Sequence, residues 1–138
     1  MPQEKCYHKT LRRSLLVEIL GEIFYKELAS KTSSFNEQVL YQDLAQGERR
    51  MAELIRDELG RTRASARIPG GRFIAWGSRR VLRGLSQGRL KEILKKALRQ
   101  QMYRRNFSLY HQMNPELWRS LLEHEEKQHM LLESVWNS

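Results

Sequence analysis

The most chemically suggestive feature of the sequence is a glutamate placed where a helix should be apolar. Apolar residues recur at helical spacing between Leu40 and Ile55, and Glu48 falls inside their stripe. Burying an unpaired carboxylate costs on the order of several kcal/mol. The sequence therefore predicts that something compensates Glu48, such as a polar partner, a proton or a cation.

A second candidate lies near the carboxyl end of the sequence, where Glu126 and His129 form a Glu-x-x-His pair within another apolar stripe. Side chains at i and i+3 leave the same face of a helix. A carboxylate and an imidazole on one face suit a cation such as iron, manganese or zinc. Glu125, which shares helical spacing with Trp118, is the alternative inward-facing acid.

Long helices must position these residues, because apolar residues recur at helical spacing over most of the chain. Ser34 with Glu37 fits a capping box, and Pro115 suits the first position of a helix. The predicted helices cover residues 10–31, 35–59, 89–113 and 115–136.

The segment between the second and third predicted helices, residues 60–88, is rich in glycine and contains a short basic amphipathic helix. We see no convincing strand pattern. The expected fold is therefore all-α, a single four-helix bundle over residues 1–138 in which a long crossover joins two antiparallel helix hairpins.

The length of the first hairpin determines which residues face one another. The hairpin turns near residue 33, and Glu18 and Glu48 each lie about 15 residues from the turn. They therefore lie at the same depth in the bundle, and their carboxylates are expected to meet.

The positive charge is concentrated in one segment. The chain has 25 Lys and Arg against 16 Asp and Glu, but residues 61–105 hold 14 of the basic residues and only one acid. Within this segment, arginines alternate with the apolar residues Phe73 and Trp76; they are Arg72, Arg79, Arg80 and Arg83. This strip predicts an anionic partner, and a membrane surface is favoured over nucleic acid, for which no recognition motif is present.

Several classes of protein are excluded or unsupported. No apolar run approaches the roughly 18 residues of a membrane span. Cys6 is the only cysteine, and the first residues lack the pattern of a secretory signal, so a cytoplasmic location is expected, either free or peripheral to a membrane. Phosphate-binding loops, dinucleotide fingerprints and nucleophile–base pairs are absent, which leaves hydrolase, kinase and nicotinamide-dehydrogenase functions without support.

Parts of the sequence resemble rubrerythrin-like proteins of the ferritin-like superfamily. The first half of such a domain is similar to Leu16–Glu18, Phe24–Ala29 and Leu44–Ile55, and the second half to Asn114–Leu117 and Leu121–His129. The resemblance covers the four long predicted helices. It implies a four-helix bundle with a di-iron site, for which two helices each supply a Glu and the other two each supply a Glu-x-x-His.

The resemblance implies four metal ligands in this chain and two departures from the family pattern. The implied ligands are Glu18, Glu48, Glu126 and His129. Met51 stands where a histidine is expected, and the third helix offers no suitable acid. The residues expected beside the ligands or in place of them are Glu22, Met51, Gln100, Tyr103 and Glu125.

The degenerate ligand set favours one ion, iron or manganese, over two. The expected function is that of a rubrerythrin-like metal-binding protein with residual iron-dependent redox or peroxide chemistry. The alternative is an inactive ferritin-like interaction module that holds no metal and acts through the basic segment 61–105. Trp118 and Trp136 on the last helix suggest a homodimer, and the small-molecule substrate stays open.

Overall fold

Six helices make up the regular structure of residues 2–136, the part of the chain that this computed structural model describes. They are α1 (Pro2–Lys31), α2 (Phe35–Arg61), α3 (Gly71–Arg83), α4 (Gln87–Leu98), α5 (Met102–Tyr110) and α6 (Pro115–Trp136). No strand occurs within that range, so the predicted all-α class is confirmed. None of these helices combines the length and apolarity needed to cross a membrane.

Helices α1 and α2 form an antiparallel hairpin around the turn at residues 32–34. The Ser34 hydroxyl accepts a hydrogen bond from the Glu37 backbone N–H at 3.3 Å, as expected of an N-cap. At the far end of the hairpin, Tyr7 on α1 contacts Glu58 on α2. Helix α1 therefore begins well before the predicted start near residue 10, because Tyr7 is buried against this neighbour although the sequence around it is polar.

The third predicted helix, residues 89–113, is in fact two helices. The chain leaves α4 after Leu98, and Gln101 adopts a left-handed backbone with φ of 47°. Helix α5 then begins with the Tyr103 backbone N–H donating to Glu125 Oε2 at 2.7 Å. A carboxylate at a helix N-terminus is favourable, so a residue of α6 stabilises the start of α5. The segment contains no Gly or Pro that could have indicated this break.

The core has two apolar halves along α1 and α2. One is built around Trp118, and the other includes Tyr41 and Leu132. Trp118 is completely buried within the chain, and the Trp136 indole N–H donates to the Tyr41 hydroxyl at 3.0 Å. Trp118 is therefore not available as the dimer contact that the sequence suggested.

The crossover contains the predicted short helix, α3, which lies against α1. Leu82 is its buried residue. The Lys31 ammonium at the end of α1 donates to the carbonyls of Leu82 and Leu85, both at 2.6 Å, and thereby holds the C-terminal end of α3. Phe73 and Trp76, by contrast, are largely exposed on α3.

Candidate metal centre

Two glutamates and a histidine meet in the interior between the two apolar halves. Glu18 on α1, Glu48 on α2 and His124 on α6 each offer a ligand atom, and these atoms all lie within 4.8 Å of one another. Glu18 and Glu48 are only 2% and 6% exposed, and the His124 side chain is 8% exposed. The sequence-based expectation that Glu18 and Glu48 meet agrees with this geometry.

Two glycines create the space that these side chains occupy. A Cβ atom on Gly21 of α1 would lie 2.8 Å from Glu48 Oε1, and one on Gly47 of α2 would lie 2.6 Å from His124 Cε1. Both separations are shorter than van der Waals contact. The close approach of α1 to Glu48 and of α2 to His124 therefore depends on the absence of a side chain at these two positions.

Hydrogen bonds orient most of the cluster. The Tyr103 hydroxyl donates to Glu18 Oε1. The Gln128 amide donates to Glu48 Oε1 at 2.5 Å and lies 3.0 Å from His124 Nε2, which is itself 3.5 Å from Glu48 Oε2. An amide has two N–H donors. When Gln128 donates to both neighbours, its second N–H occupies the lone pair of His124 Nε2, so an ion bound at that nitrogen would replace this hydrogen bond.

The remaining oxygen of Glu18 is unsatisfied. Glu18 Oε2 is buried and has no hydrogen-bond partner. Among residues 2–136, no Lys or Arg lies within ion-pair distance of Glu18 or Glu48. Two close carboxylates are thus buried without a permanent cationic partner, which is a costly arrangement unless a proton or a cation joins them.

Burial also sets the protonation of the cluster. Desolvation raises the pKa of Glu48, and the interactions with His124 and Gln128 offset this only in part. Desolvation likewise raises the pKa of the Tyr103 hydroxyl, and the negative charges of Glu48 and Glu125 add to the effect. Tyr103 therefore stays a proton donor, whereas Glu48 is poised to take up a proton when no cation is present.

The structure does not bring Glu126 and His129 into the cluster. Glu126 is exposed, and His129 lies instead beside Lys95 and Trp136 in a separate pocket on the α4 side of α6. The inward-facing acid of α6 is Glu125, which is 7% exposed. This corrects the implied Glu-x-x-His pair, because the buried face of α6 is rotated by about one residue relative to the expected stripe.

The residues expected beside the ligands have different positions. Tyr103 contacts Glu18, and Met51 is buried in the apolar half around Trp118, as a core residue would be. Gln100 is exposed, and Glu22 forms an ion pair with Lys26 at 3.0 Å. Of this group, only Tyr103 and Glu125 therefore make polar contacts at or beside the cluster.

Two members of the cluster, His124 and Gln128, were not among the residues predicted from the sequence. A signal for them exists in the buried stripe of α6, whose members are Trp118, Leu121, Glu125, Gln128 and Leu132. Their spacing alternates between three and four residues throughout. Gln128 belongs to that stripe and His124 lies one turn before it, so the stripe should have been preferred to the one through Glu126.

Comparisons with known proteins identify no relative. No family model matches the chain, and no curated protein or solved structure does either. The rubrerythrin-like resemblance accordingly stays a prediction that only the residues themselves support.

Proposed function

We propose that this protein is a metal-binding helical bundle of the rubrerythrin-like kind, which holds one iron or manganese ion between Glu18, Glu48 and His124. The observation that carries the proposal is the convergence of three buried ligand atoms within 4.8 Å without a Lys or Arg partner among residues 2–136. A divalent cation would neutralise both carboxylates at once.

The residues present fit such an ion. Two carboxylates and one imidazole form a donor set suited to iron, manganese or zinc. Glu18 Oε2 has no other partner, and the glycines at 21 and 47 leave room for the ligand side chains. Gln128, which hydrogen-bonds one oxygen of Glu48, would fix the orientation of that ligand.

The ligand set supports one ion and not two. Glu125 is committed to the N-terminus of α5, and Met51 belongs to the apolar core. Three protein ligands leave open coordination positions, and a redox-active ion in this place would supply one-electron chemistry with oxygen or peroxide. The Tyr103 hydroxyl would hold a proton beside Glu18.

Metal reconstitution tests the proposal. We would load the purified protein anaerobically with ferrous ion, remove excess metal and measure iron by elemental analysis. We expect about one equivalent per chain, lost in Glu48→Gln and retained in Glu126→Gln, the matched change at an exposed glutamate on α6. Absence of tightly bound iron and manganese from the unmodified protein would contradict the proposal and favour an inactive bundle whose acids share protons.

We further propose a second, compatible function in which α3 attaches the protein to an anionic membrane surface. Phe73 and Trp76 are 80% and 56% exposed, and the Arg80 guanidinium lies 4.9 Å from the centre of the Trp76 ring. No acidic residue occurs between Thr62 and Lys91. Exposed aromatic residues beside arginines are typical of helices that lie in a lipid interface.

Vesicle sedimentation tests this function. We expect binding to phosphatidylglycerol vesicles but not to phosphatidylcholine vesicles, with weakening at high salt. Phe73→Ser should reduce binding, whereas Leu109→Ser, at another exposed apolar position 64% accessible, should not. Binding to duplex DNA in place of vesicles would overturn the membrane assignment.

A further inference from the structure

A pocket of about 280 Å³ lies between α1 and α4, beside the break that separates α4 from α5. Its walls are apolar and include Val17, Leu20, Phe24, Ile93, Leu94 and Leu98. Val17 and Ile93 are 47% and 43% exposed, so they mark the mouth. The volume is slightly below the roughly 300–1,000 Å³ typical of small-molecule sites, so it suits a small ligand.

The polar part of the lining is the carboxylate cluster together with Tyr25, Gln101 and Tyr103. Glu18, Glu48, Glu125 and Gln128 all contribute to the pocket. Glu48 already accepts from Gln128, and Glu125 accepts from the Tyr103 backbone N–H. Glu18 Oε2 and the Tyr25 hydroxyl, both from residues of this lining, are buried and have no hydrogen-bond partner.

We infer that this pocket binds a small, neutral, apolar molecule that carries a hydroxyl group, with the hydroxyl donating to Glu18 Oε2. The apolar walls select an apolar body, because burial of apolar surface supplies the affinity. The unpaired acceptor selects a donor, since leaving it unpaired in a filled pocket is costly. Three carboxylates in the lining disfavour an anionic ligand.

The inference does not require the metal, and because it uses Glu18 Oε2, which is also a ligand atom of the proposed metal site, ion and hydroxyl would compete for that oxygen. Binding is therefore measured on protein freed of metal by a chelator. The probe is 1-naphthol, an apolar molecule with one hydroxyl group. If 1-naphthol binds and no metal does, the pocket assignment holds without the metal site. If metal binds and 1-naphthol does not, only the pocket assignment fails.

The experiment is equilibrium dialysis of the metal-free protein against 1-naphthol, naphthalene and 1-naphthoate. We expect saturable binding of 1-naphthol, about tenfold weaker binding of naphthalene because it lacks the hydrogen bond to a carboxylate, and no binding of 1-naphthoate. Glu18→Leu should abolish the preference for 1-naphthol over naphthalene while circular dichroism confirms that the bundle is folded.

A matched pair of variants locates the binding. Ala97 lines the pocket and Lys96 does not, although both are exposed on α4. Ala97→Phe should remove saturable binding, and Lys96→Phe should leave it unchanged. Equal affinity in the two variants, no saturable binding in the unmodified protein, or equal affinity for naphthalene and 1-naphthol would overturn the inference.

Discussion

The protein buries glutamates in two places, and the two environments differ in nearly every respect. Glu58, near the far end of the first hairpin, is 2% exposed and has every oxygen paired. It accepts from the Tyr7 hydroxyl at 2.5 Å, from Arg61 at 2.5 and 3.0 Å, and from Asn114 at 3.1 Å. Glu18 and Glu48, further along the same helices, have no Lys or Arg partner within the described part of the chain.

The two environments also shift carboxyl protonation in opposite directions. Burial alone would raise the pKa of Glu58, but the hydrogen bonds from Arg61, Tyr7 and Asn114 outweigh it and lower that pKa. At Glu48, burial outweighs the local partners and raises the pKa. A buried glutamate whose oxygens are all paired needs no ligand, whereas the incompletely paired Glu18 and Glu48 are the candidate for a binding site.

The largest expected effect on stability comes from removing Glu58, the glutamate whose two oxygens are fully hydrogen-bonded. Glu58→Ala should lower the free energy of unfolding by about 2 kcal/mol, because Arg61, Tyr7 and Asn114 lose their common acceptor. The loss of stability is moderate because the Arg61 side chain is 58% exposed and is rehydrated after the change. Urea unfolding measures this loss when the variant is compared with Glu53→Ala, a change at an exposed site on the same helix. Equal stability of the two variants would contradict the structural role of Glu58.

A smaller effect of opposite sign on the free energy of unfolding is expected at Glu48, which has no Lys or Arg partner among residues 2–136. In metal-free protein near neutral pH, Glu48→Gln should raise the free energy of unfolding by about 1 kcal/mol, because it removes a buried charge and keeps an acceptor for Gln128. Chemical denaturation in the presence of a chelator measures the gain. Destabilisation comparable to that of Glu58→Ala would show that Glu48 is a structural residue too.

The pH dependence sharpens the same comparison. Because the folded-state pKa of Glu48 is raised, its contribution to stability is present below the unfolded pKa of about 4.3 and is lost as pH rises through the folded value. The gain from Glu48→Gln should therefore vanish at low pH. The lowered pKa of Glu58 gives the reverse, a contribution present above the unfolded pKa and lost as pH falls through the folded value. Unfolding curves across that range test both signs, and parallel profiles for Glu48→Gln and Glu58→Gln would contradict them.

The smallest expected stability effects concern glycines. Gly60→Ala should stabilise α2 by about 0.5 kcal/mol, because a Cβ there meets nothing within 4 Å and alanine favours the helix. Gly47→Ala should lack this gain and displace the His124 ring, so that metal affinity falls while the fold persists. Thermal unfolding together with metal binding for the two variants checks this. Unchanged metal affinity in Gly47→Ala would show that the glycine does not serve the site.

Much of the helical framework follows from periodicity and capping. The predicted starts of α2 at residue 35 and of α6 at residue 115 agree with the structure. The break at Gln101 does not follow from the local sequence, because it depends on Glu125, which is distant in the chain. Likewise, the early start of α1 depends on the packing of Tyr7 against Glu58 and Trp118.

Only part of the candidate metal site could be predicted from the sequence. Glu18 and Glu48 could be paired because a tight hairpin fixes the depth of both. The rotation of α6 about its axis has no such constraint. Two overlapping apolar stripes, one through Glu125 and one through Glu126, could each have faced the interior. A shift of one residue exchanged Glu126 and His129 for Glu125 and Gln128 and brought His124 inward.

The most direct test of the central claim compares two histidines on α6. His124 lies in the cluster, and His129 lies outside it in the pocket beside Lys95. Calorimetric titration of metal-free protein with Mn²⁺ should give one saturable site in the unmodified chain and in His129→Ala, and at least about tenfold weaker binding in His124→Ala. Loss of binding in His129→Ala with retention in His124→Ala, or no saturable site in any of the three proteins, would contradict the account.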